Sequence, residues 1–343
     1  MKKITFLRAN PKVVGGAEIY LSRLIETLEA KGIKCQIKSL KAPKFLSSWI
    51  KALIYDFQVC SSKNDEFYFS LERVSCADIY RAGDGVHKVY MKEKKSLLNP
   101  LNLVYCYLER RCFENSKKII ANSNFVKNQI VQTYEIPEEK IKVIYNGVKI
   151  QDDFNKLEAK NELNIQFDIR ADIPLILFVG SGFERKGVNE FLHLLSKLKS
   201  RFQALIIGKD KKINTYKQLA KSLNLAKKVK FLGARNDIWK FYKASDIFIF
   251  PTRYEPFSNV VLEALSFKNV VITTAQNGAS EILPKDFVMS SPSDENILSV
   301  IEKLLNDTKF LSSTQAASFG LAKNFSIEKN AQETMEIIGA YLH

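Results

Sequence analysis

Two glutamates, Glu255 and Glu263, have seven residues between them in EPFSNVVLE (255–263), and the residues separating them suit an anion. The apolar run Ile247 to Phe250, ended by Pro251, reads as a buried strand. Val260, Val261, Leu262, Ala264 and Leu265 then mark a helix, with Ser258 as its N-cap by residue type. At ~1.5 Å rise per residue, Glu263 would lie about 7–8 Å along it. The N–H groups near Ser258, Asn259 and Val260 would stand between the two carboxylates, at the positive end of the helix dipole, where anions dock. One carboxylate on each side of a phosphate site suits a nucleotide-sugar, with Glu263 toward ribose hydroxyls and Glu255 toward the sugar. Two solvated glutamates beside a helix start would show the same spacing, so the pair needs support from other loops.

Upstream loops supply it. PLILFVG (174–180) reads as a strand, and Arg185 and Lys186 follow it in SGFERKG (181–187), just before a helix and with glycines on both sides. Two adjacent cations there suit a diphosphate, the arginine through its planar fork and the lysine as a point charge. After a strand ending at Leu232 comes the polar turn GARND (233–237), which includes Arg235 and is able to present backbone groups to a base. Three ligand-type loops after strands of one domain form a nucleotide-diphosphate site of the kind found at strand carboxyl ends. Nearer the N-terminus, Gly15 and Gly16 precede a helix and permit close backbone approach, although an ordinary tight turn reads the same. Asp84 and His87 fall in a loop with Gly83 and Gly85, after a strand candidate near residue 80.

The elements that must position these residues alternate strand and helix along the chain, which predicts doubly wound α/β domains. At 343 residues and 46% hydrophobic, the chain has enough apolar mass for two cores. Residues 149–172 read as the linker, giving domains at 1–165 and 166–325, with 326–343 a terminal helix returning to the first. No G-x-G-x-x-G appears, and no zinc-ligand pattern appears among five cysteines and three histidines. The cysteines read as reduced, which fits a cytosolic protein. The N-terminus is too short in apolar length for a signal peptide, and no apolar run approaches the ~20 residues of a spanning helix. The net charge of +15 makes nucleic acid, an anionic membrane and a phosphorylated substrate the candidate partners. No zinc finger, RRM, KH or helix-turn-helix signature supports nucleic acid. The segment HKVYMKEKKSLLNPLNLVYCYLERR (87–111) combines Lys88, Lys92, Lys94, Lys95, Arg110 and Arg111 with Tyr90, Tyr105 and Tyr107. It reads either as a basic helix resting on an anionic membrane or as a core helix with a solvated basic face.

Taken together, GGAE (15–18), ANSNFVK (121–127), KIKVIYNGV (140–148), FVGSGFERKG (178–187), FLGARND (231–237), EPFSNVVLE (255–263), NGASEI (277–282) and FSIEKNAQET (325–334) closely resemble the retaining glycosyltransferases of family 4. They stand in family order along almost the whole chain, and GSGFERKGV and GARNDI look most like the lipopolysaccharide core glucosyltransferases. The resemblance implies the GT-B fold, two Rossmann-like domains facing each other across a cleft. It implies that Glu255 is the donor-sugar glutamate and that Glu263 binds ribose. Arg185 and Lys186 correspond to the diphosphate pair, acting without a metal. Gly15 and Gly16 match the loop facing phosphate and acceptor, and Phe257, Ser258, Asn259 and Val260 line the donor phosphates. Asp84 matches the lipopolysaccharide-type members, whereas many other members carry a histidine in that loop, for which His87 stands.

The implied activity is a retaining, metal-independent hexosyltransferase. It would move glucose or galactose from a UDP-sugar to a lipopolysaccharide or lipooligosaccharide core acceptor, with no cofactor beyond that co-substrate. The expected setting is cytoplasmic, peripheral at the inner face of the cytoplasmic membrane. Glu255→Gln is then expected to lower turnover with nucleotide affinity nearly unchanged. Rival readings are a transferase of capsule or polyprenyl-diphosphate-linked glycan assembly and a GT-B nucleotide-sugar epimerase. A non-enzymatic binder of anionic surfaces would explain the charge but not the ordered donor loops.

Overall fold

The structure, a computed structural model, describes residues 3–11, 16–94 and 99–341. It divides into two compact units, residues 1–146 with 327–343, and residues 147–326.

In the first unit six parallel strands form one sheet in the order β2-β1-β3-β4-β5-β6. They are β1 (Lys3–Leu7), β2 (Lys34–Lys38), β3 (Phe67–Ser70), β4 (Ile79–Ala82), β5 (Lys118–Ala121) and β6 (Ile141–Val143). The central strands are buried along their whole length, as a parallel sheet covered on both faces requires. Phe6 of β1 packs on Phe69 of β3 with ring centroids 5.4 Å apart. The last helix, Ile327–Tyr341, packs on helix Gly16–Ala30, where Tyr20 and Thr334 share a hydrogen bond of 3.2 Å.

The second unit repeats the plan with β7 (Leu175–Val179), β8 (Gln203–Ile207), β9 (Val229–Gly233), β10 (Ile247–Phe250), β11 (Val270–Thr274) and β12 (Val288–Met289). Their order is β12-β11-β10-β7-β8-β9, all parallel. The chain runs outward one way from β7 and the other way from β10, so the loops after these two neighbours diverge and leave a crevice at the strand carboxyl ends. Its core centres on Phe178, which packs on Phe183, Phe191 and Phe250.

Three expectations are corrected. The unit boundary falls at 146/147 instead of 165/166. Helix Lys156–Phe167, read as linker, packs on helix Ile238–Ala244, with the Phe167 and Phe241 rings 5.5 Å apart. Its polar sequence hid this, because only Ala159 and Leu163 are buried on it. The basic stretch is two helices, His87–Lys94 and Pro100–Asn115, the second capped by Asn99, whose side chain accepts from Leu101 N at 3.0 Å. Residues 95–98 lie outside the described residues. Finally, Cys60 and Cys76 form a disulfide joining the end of helix Ser48–Ser61 to the loop before β4, so the reduced reading fails for this pair. With 16 residues of separation it matched no short-range cysteine motif. Among the described residues no helix is long and apolar enough to cross a membrane.

Candidate active site

The loops after β7 and β10 are joined backbone to backbone. Phe183 opens a one-turn helix, Phe183–Lys186, and is fixed by its buried ring and by its N–H donating to Asp210 Oδ2 at 2.7 Å. The Arg185 carbonyl then accepts from Arg253 N at 2.9 Å and from Thr252 Oγ1 at 3.1 Å. Gly187 follows at φ +80°, where a Cβ would lie 1.9 Å from the Pro251 carbonyl oxygen. Only glycine permits that approach, which brings the Arg185 and Lys186 side chains over the second loop.

There the two cations meet Glu255. Arg185 Nη1 donates to Glu255 Oε2 at 2.5 Å and to the Tyr254 carbonyl at 2.9 Å. Lys186 Nζ donates to the same carboxylate oxygen and stands 5.0 Å from the centre of the Phe250 ring. Glu255 and Lys186 are largely buried and Arg185 is about half-buried. Burial pulls the Lys186 ammonium below the usual lysine range, with Glu255 opposing and Arg185 adding to the fall. Glu255 is held at its backbone as well. Its N–H donates to the Gln276 carbonyl at 3.0 Å, and its carbonyl accepts from Gly278 N at 2.9 Å. Asn277 is fully buried and organises that loop, with Oδ1 accepting from Ala279 N and Nδ2 donating to Thr273 Oγ1. NGASEI therefore serves to brace the Glu255 backbone, a role that spacing alone did not show.

Beyond Glu255 the chain buries Phe257 and Ser258 and enters helix Asn259–Ser266. Ser258 is the N-cap residue but makes no side-chain cap bond, so its hydroxyl does not occupy the first-turn N–H groups. Asn259 and Val260 are half-buried in that first turn. Glu263 lies on the same helix and accepts a hydrogen bond from Tyr242 at 3.1 Å.

Arg235 is placed apart from these groups, after β9 at the edge of the sheet. Its guanidinium binds Asp237 through Nε at 2.8 Å and Nη2 at 2.7 Å, which raises its pKa, and it packs over Phe167 and Phe241. The side chain is engaged within its own turn, leaving the backbone as the part that can face a ligand.

The remaining sequence candidates belong to the first unit. Gly16 begins helix Gly16–Ala30, and Gly15 lies outside the described residues. Asp84 is 62% exposed, 4.0 Å from Arg73 Nη1. His87 is the first residue of helix His87–Lys94. Its Nε2 is 3.1 Å from Asn102 Oδ1, and its ring lies edge-on to Tyr105 at 5.1 Å. Packed there, His87 takes part in holding two helices together, while Asp84 is the more accessible of the pair.

Sequence reasoning missed the group beneath them, Glu109, which is fully buried inside what read as a basic face. It accepts from His87 N at 2.8 Å, Arg73 Nε at 2.9 Å and the Tyr134 hydroxyl at 2.7 Å. A carboxylate at a helix start suits the helix dipole, and pairing with Arg73 is what makes its burial tolerable. Burial and the Glu109 charge together push the Tyr134 phenol up. A glutamate next to two arginines in YLERR gave no cue to any of this.

Comparison with known proteins fits this arrangement. Residues 159–318 match the model of glycosyl transferases group 1, and residues 64–152 match that of glycosyltransferase family 4. The chain is 26% identical over 246 residues to the lipopolysaccharide glucosyltransferase WaaG of Escherichia coli, covering 67% of this chain and 66% of that one. A crystal structure of WaaG superposes with a TM-score of 0.80 at 20% identity, over 98% of this chain and 99% of that one. The N-acetylgalactosaminyltransferase of Campylobacter jejuni that acts on a diphospho-undecaprenol-linked sugar is 26% identical over 254 residues, 73% of this chain and 66% of its own. Anabaena HepE, crystallised with UDP and glucose, superposes with a TM-score of 0.76 at 19% identity, over 99% of this chain and 100% of that one. The alignments to three curated relatives, the Escherichia coli and Campylobacter jejuni proteins among them, span 60–66% of those proteins' length. With a group 1 domain after a family 4 domain on two parallel sheets, the chain belongs to the glycosyltransferases of the GT-B fold.

Proposed function

We propose that the protein transfers a hexose, glucose or galactose, from a UDP-sugar to a lipopolysaccharide core acceptor with retention of configuration. The observation that carries this reading is the contact of Arg185 and Lys186 with Glu255 at the topological switch point, ahead of the Asn259–Ser266 helix start. As the sugar–phosphate bond breaks, negative charge grows on the departing diphosphate. Arg185, Lys186 and the first-turn N–H groups stabilise it, each such fixed donor being worth about 10²- to 10³-fold in rate. Glu255, released from the cations by the incoming phosphates, holds the sugar and supports its oxocarbenium-like charge. Glu263 binds the ribose. Retention is assigned to front-face attack by the acceptor hydroxyl, and Asp84 to the acceptor side. Glucose and UDP are favoured by the HepE complex, and the lipopolysaccharide acceptor by the WaaG relative. The Campylobacter relative favours a polyprenyl-diphosphate-linked acceptor as the second reading.

The test is acceptor-free hydrolysis of a panel of UDP-, GDP- and ADP-sugars by the purified protein, with calorimetry of the matching nucleoside diphosphates. Release of UDP from one hexose is expected. Preference for GDP or ADP would overturn the donor assignment, and silence in both measurements would overturn the reading as a whole.

A place at the surface of an anionic membrane belongs to the same proposal, carried by helix Ser48–Ser61 rather than by the 87–111 stretch. Tyr55 and Val59 face inward on it, while Trp49, Leu53 and Phe57 are exposed at four-residue spacing. Phe45 continues the stripe at 86% exposure, with Lys41 and Lys44 exposed beside it. An outward apolar stripe flanked by lysines suits the headgroup boundary of an acidic bilayer. The chain should cosediment with vesicles containing phosphatidylglycerol and not with pure phosphatidylcholine. Phe57→Ser should reduce that partition about tenfold. Equal binding to both vesicles, or loss of the patch's exposure through self-association in solution, would refute the membrane assignment.

A further inference from the structure

We propose that Tyr242 is a positioning residue for ribose recognition, locking the Glu263 carboxylate in the orientation that grips the sugar hydroxyls of the nucleotide. The proposal rests on the donor-site reading of Glu263 and adds the residue through which it acts. Tyr242 lies on helix Ile238–Ala244 and is buried, and its hydroxyl donates to Glu263 Oε2 at 3.1 Å. Three features fix the phenol rather than leave it to adapt. Its ring stacks on Phe267 at 5.9 Å with 5° between planes, and it packs against Phe248 at 6.0 Å. Its backbone carbonyl accepts from the buried Asn269 Nδ2 at 2.9 Å, which also donates to the Ala264 carbonyl at the end of the Glu263 helix. Burial and the facing Glu263 charge push the Tyr242 phenol well above the usual tyrosine range, so it stays a donor across working pH.

The consequence concerns specificity. A glutamate has three side-chain rotors, and holding one in the binding geometry costs conformational entropy that a ligand must otherwise supply. The Tyr242 hydrogen bond fixes the carboxylate plane before the nucleotide arrives. Nothing in EPFSNVVLE signals this, because the donor comes from a helix 21 residues earlier.

The experiment measures UDP, 2′-deoxy-UDP and 3′-deoxy-UDP binding to the full-length protein, Tyr242→Phe and Glu263→Gln, with thermal melts of each. Tyr242→Phe keeps the ring and its packing. It is expected to weaken UDP about three- to tenfold while leaving the affinity for one deoxy nucleotide unchanged, so that ribose discrimination falls. Glu263→Gln should lose the same discrimination. Equal weakening of all three nucleotides by Tyr242→Phe would mean general disruption and overturn the proposal. Wild-type discrimination in Tyr242→Phe, with loss in Glu263→Gln, would overturn it and leave the ribose reading intact. Wild-type discrimination in both variants would overturn the two together.

Discussion

Replacing Glu255 with glutamine should lower transfer by about 10²- to 10³-fold while binding of the nucleoside diphosphate becomes tighter by about three- to tenfold. The first effect follows from the proposed role at the sugar, where glutamine keeps the shape and a hydrogen-bonding oxygen but not the charge that supports an electron-poor carbon. The second comes from the ion pairs. In the sequence reading the carboxylate and the two cations serve different parts of the donor, and nucleotide affinity is expected to stay constant. In the structure Glu255 Oε2 accepts from both Arg185 and Lys186. A diphosphate must therefore displace a carboxylate before it can use them. Glutamine removes that competitor and leaves two neighbouring cations with weaker neutralisation, so the free variant should also melt lower and regain stability on adding UDP. The gain in affinity is set modestly because Arg185 remains partly exposed to solvent, which screens the pair. Calorimetry with UDP, beside steady-state rates, separates the two effects. Full turnover would remove Glu255 from the chemistry, and weaker UDP binding would show that the ion pairs assist the diphosphate site instead of competing with it.

What the sequence made legible was local. The two central strands of the second unit are short apolar runs, LILFV and IFIF, because both faces are covered, and such runs stand out between polar loops. The loops after those strands carry Arg185, Lys186 and Glu255, so position on the fold and chemistry were readable from the same segments. What stayed hidden depended on distant pairing. Glu109 looks like one more charge on a basic helix until Arg73 and Tyr134, 36 and 25 residues away, are brought to it. Asn277 looks like a polar loop residue until its neighbours bind the Glu255 backbone. The helix at 156–167 looks like a linker because it buries only two side chains. In each case the residue type was ordinary and the partner made it specific.

Removing the arginine tests the diphosphate assignment most directly. Arg185→Ala should weaken nucleoside diphosphate binding by about 10- to 100-fold, the worth of one charge-assisted hydrogen-bonded contact of roughly 1.5–3 kcal/mol. Arg185→Lys should recover only part of this, since an ammonium lacks the planar fork that meets two phosphate oxygens at once. A pH series gives the same substitution a second reading. Lys186 must carry its proton to hold a diphosphate, and in the free protein burial and then the Arg185 charge lower its pKa, while Glu255 raises it. A bound diphosphate raises that pKa again. Affinity is therefore full below the free-protein pKa and falls as pH rises through it, starting below the ordinary lysine value of about 10.4. Removing Arg185 takes away one of the two lowering influences, so the alkaline fall should move to higher pH even as overall affinity drops. A variant with weaker binding and an unmoved alkaline limb would mean that Arg185 acts only by touching the ligand. Unchanged affinity would mean that the phosphates bind elsewhere, and the donor site would have to be sought away from the β7 and β10 loops.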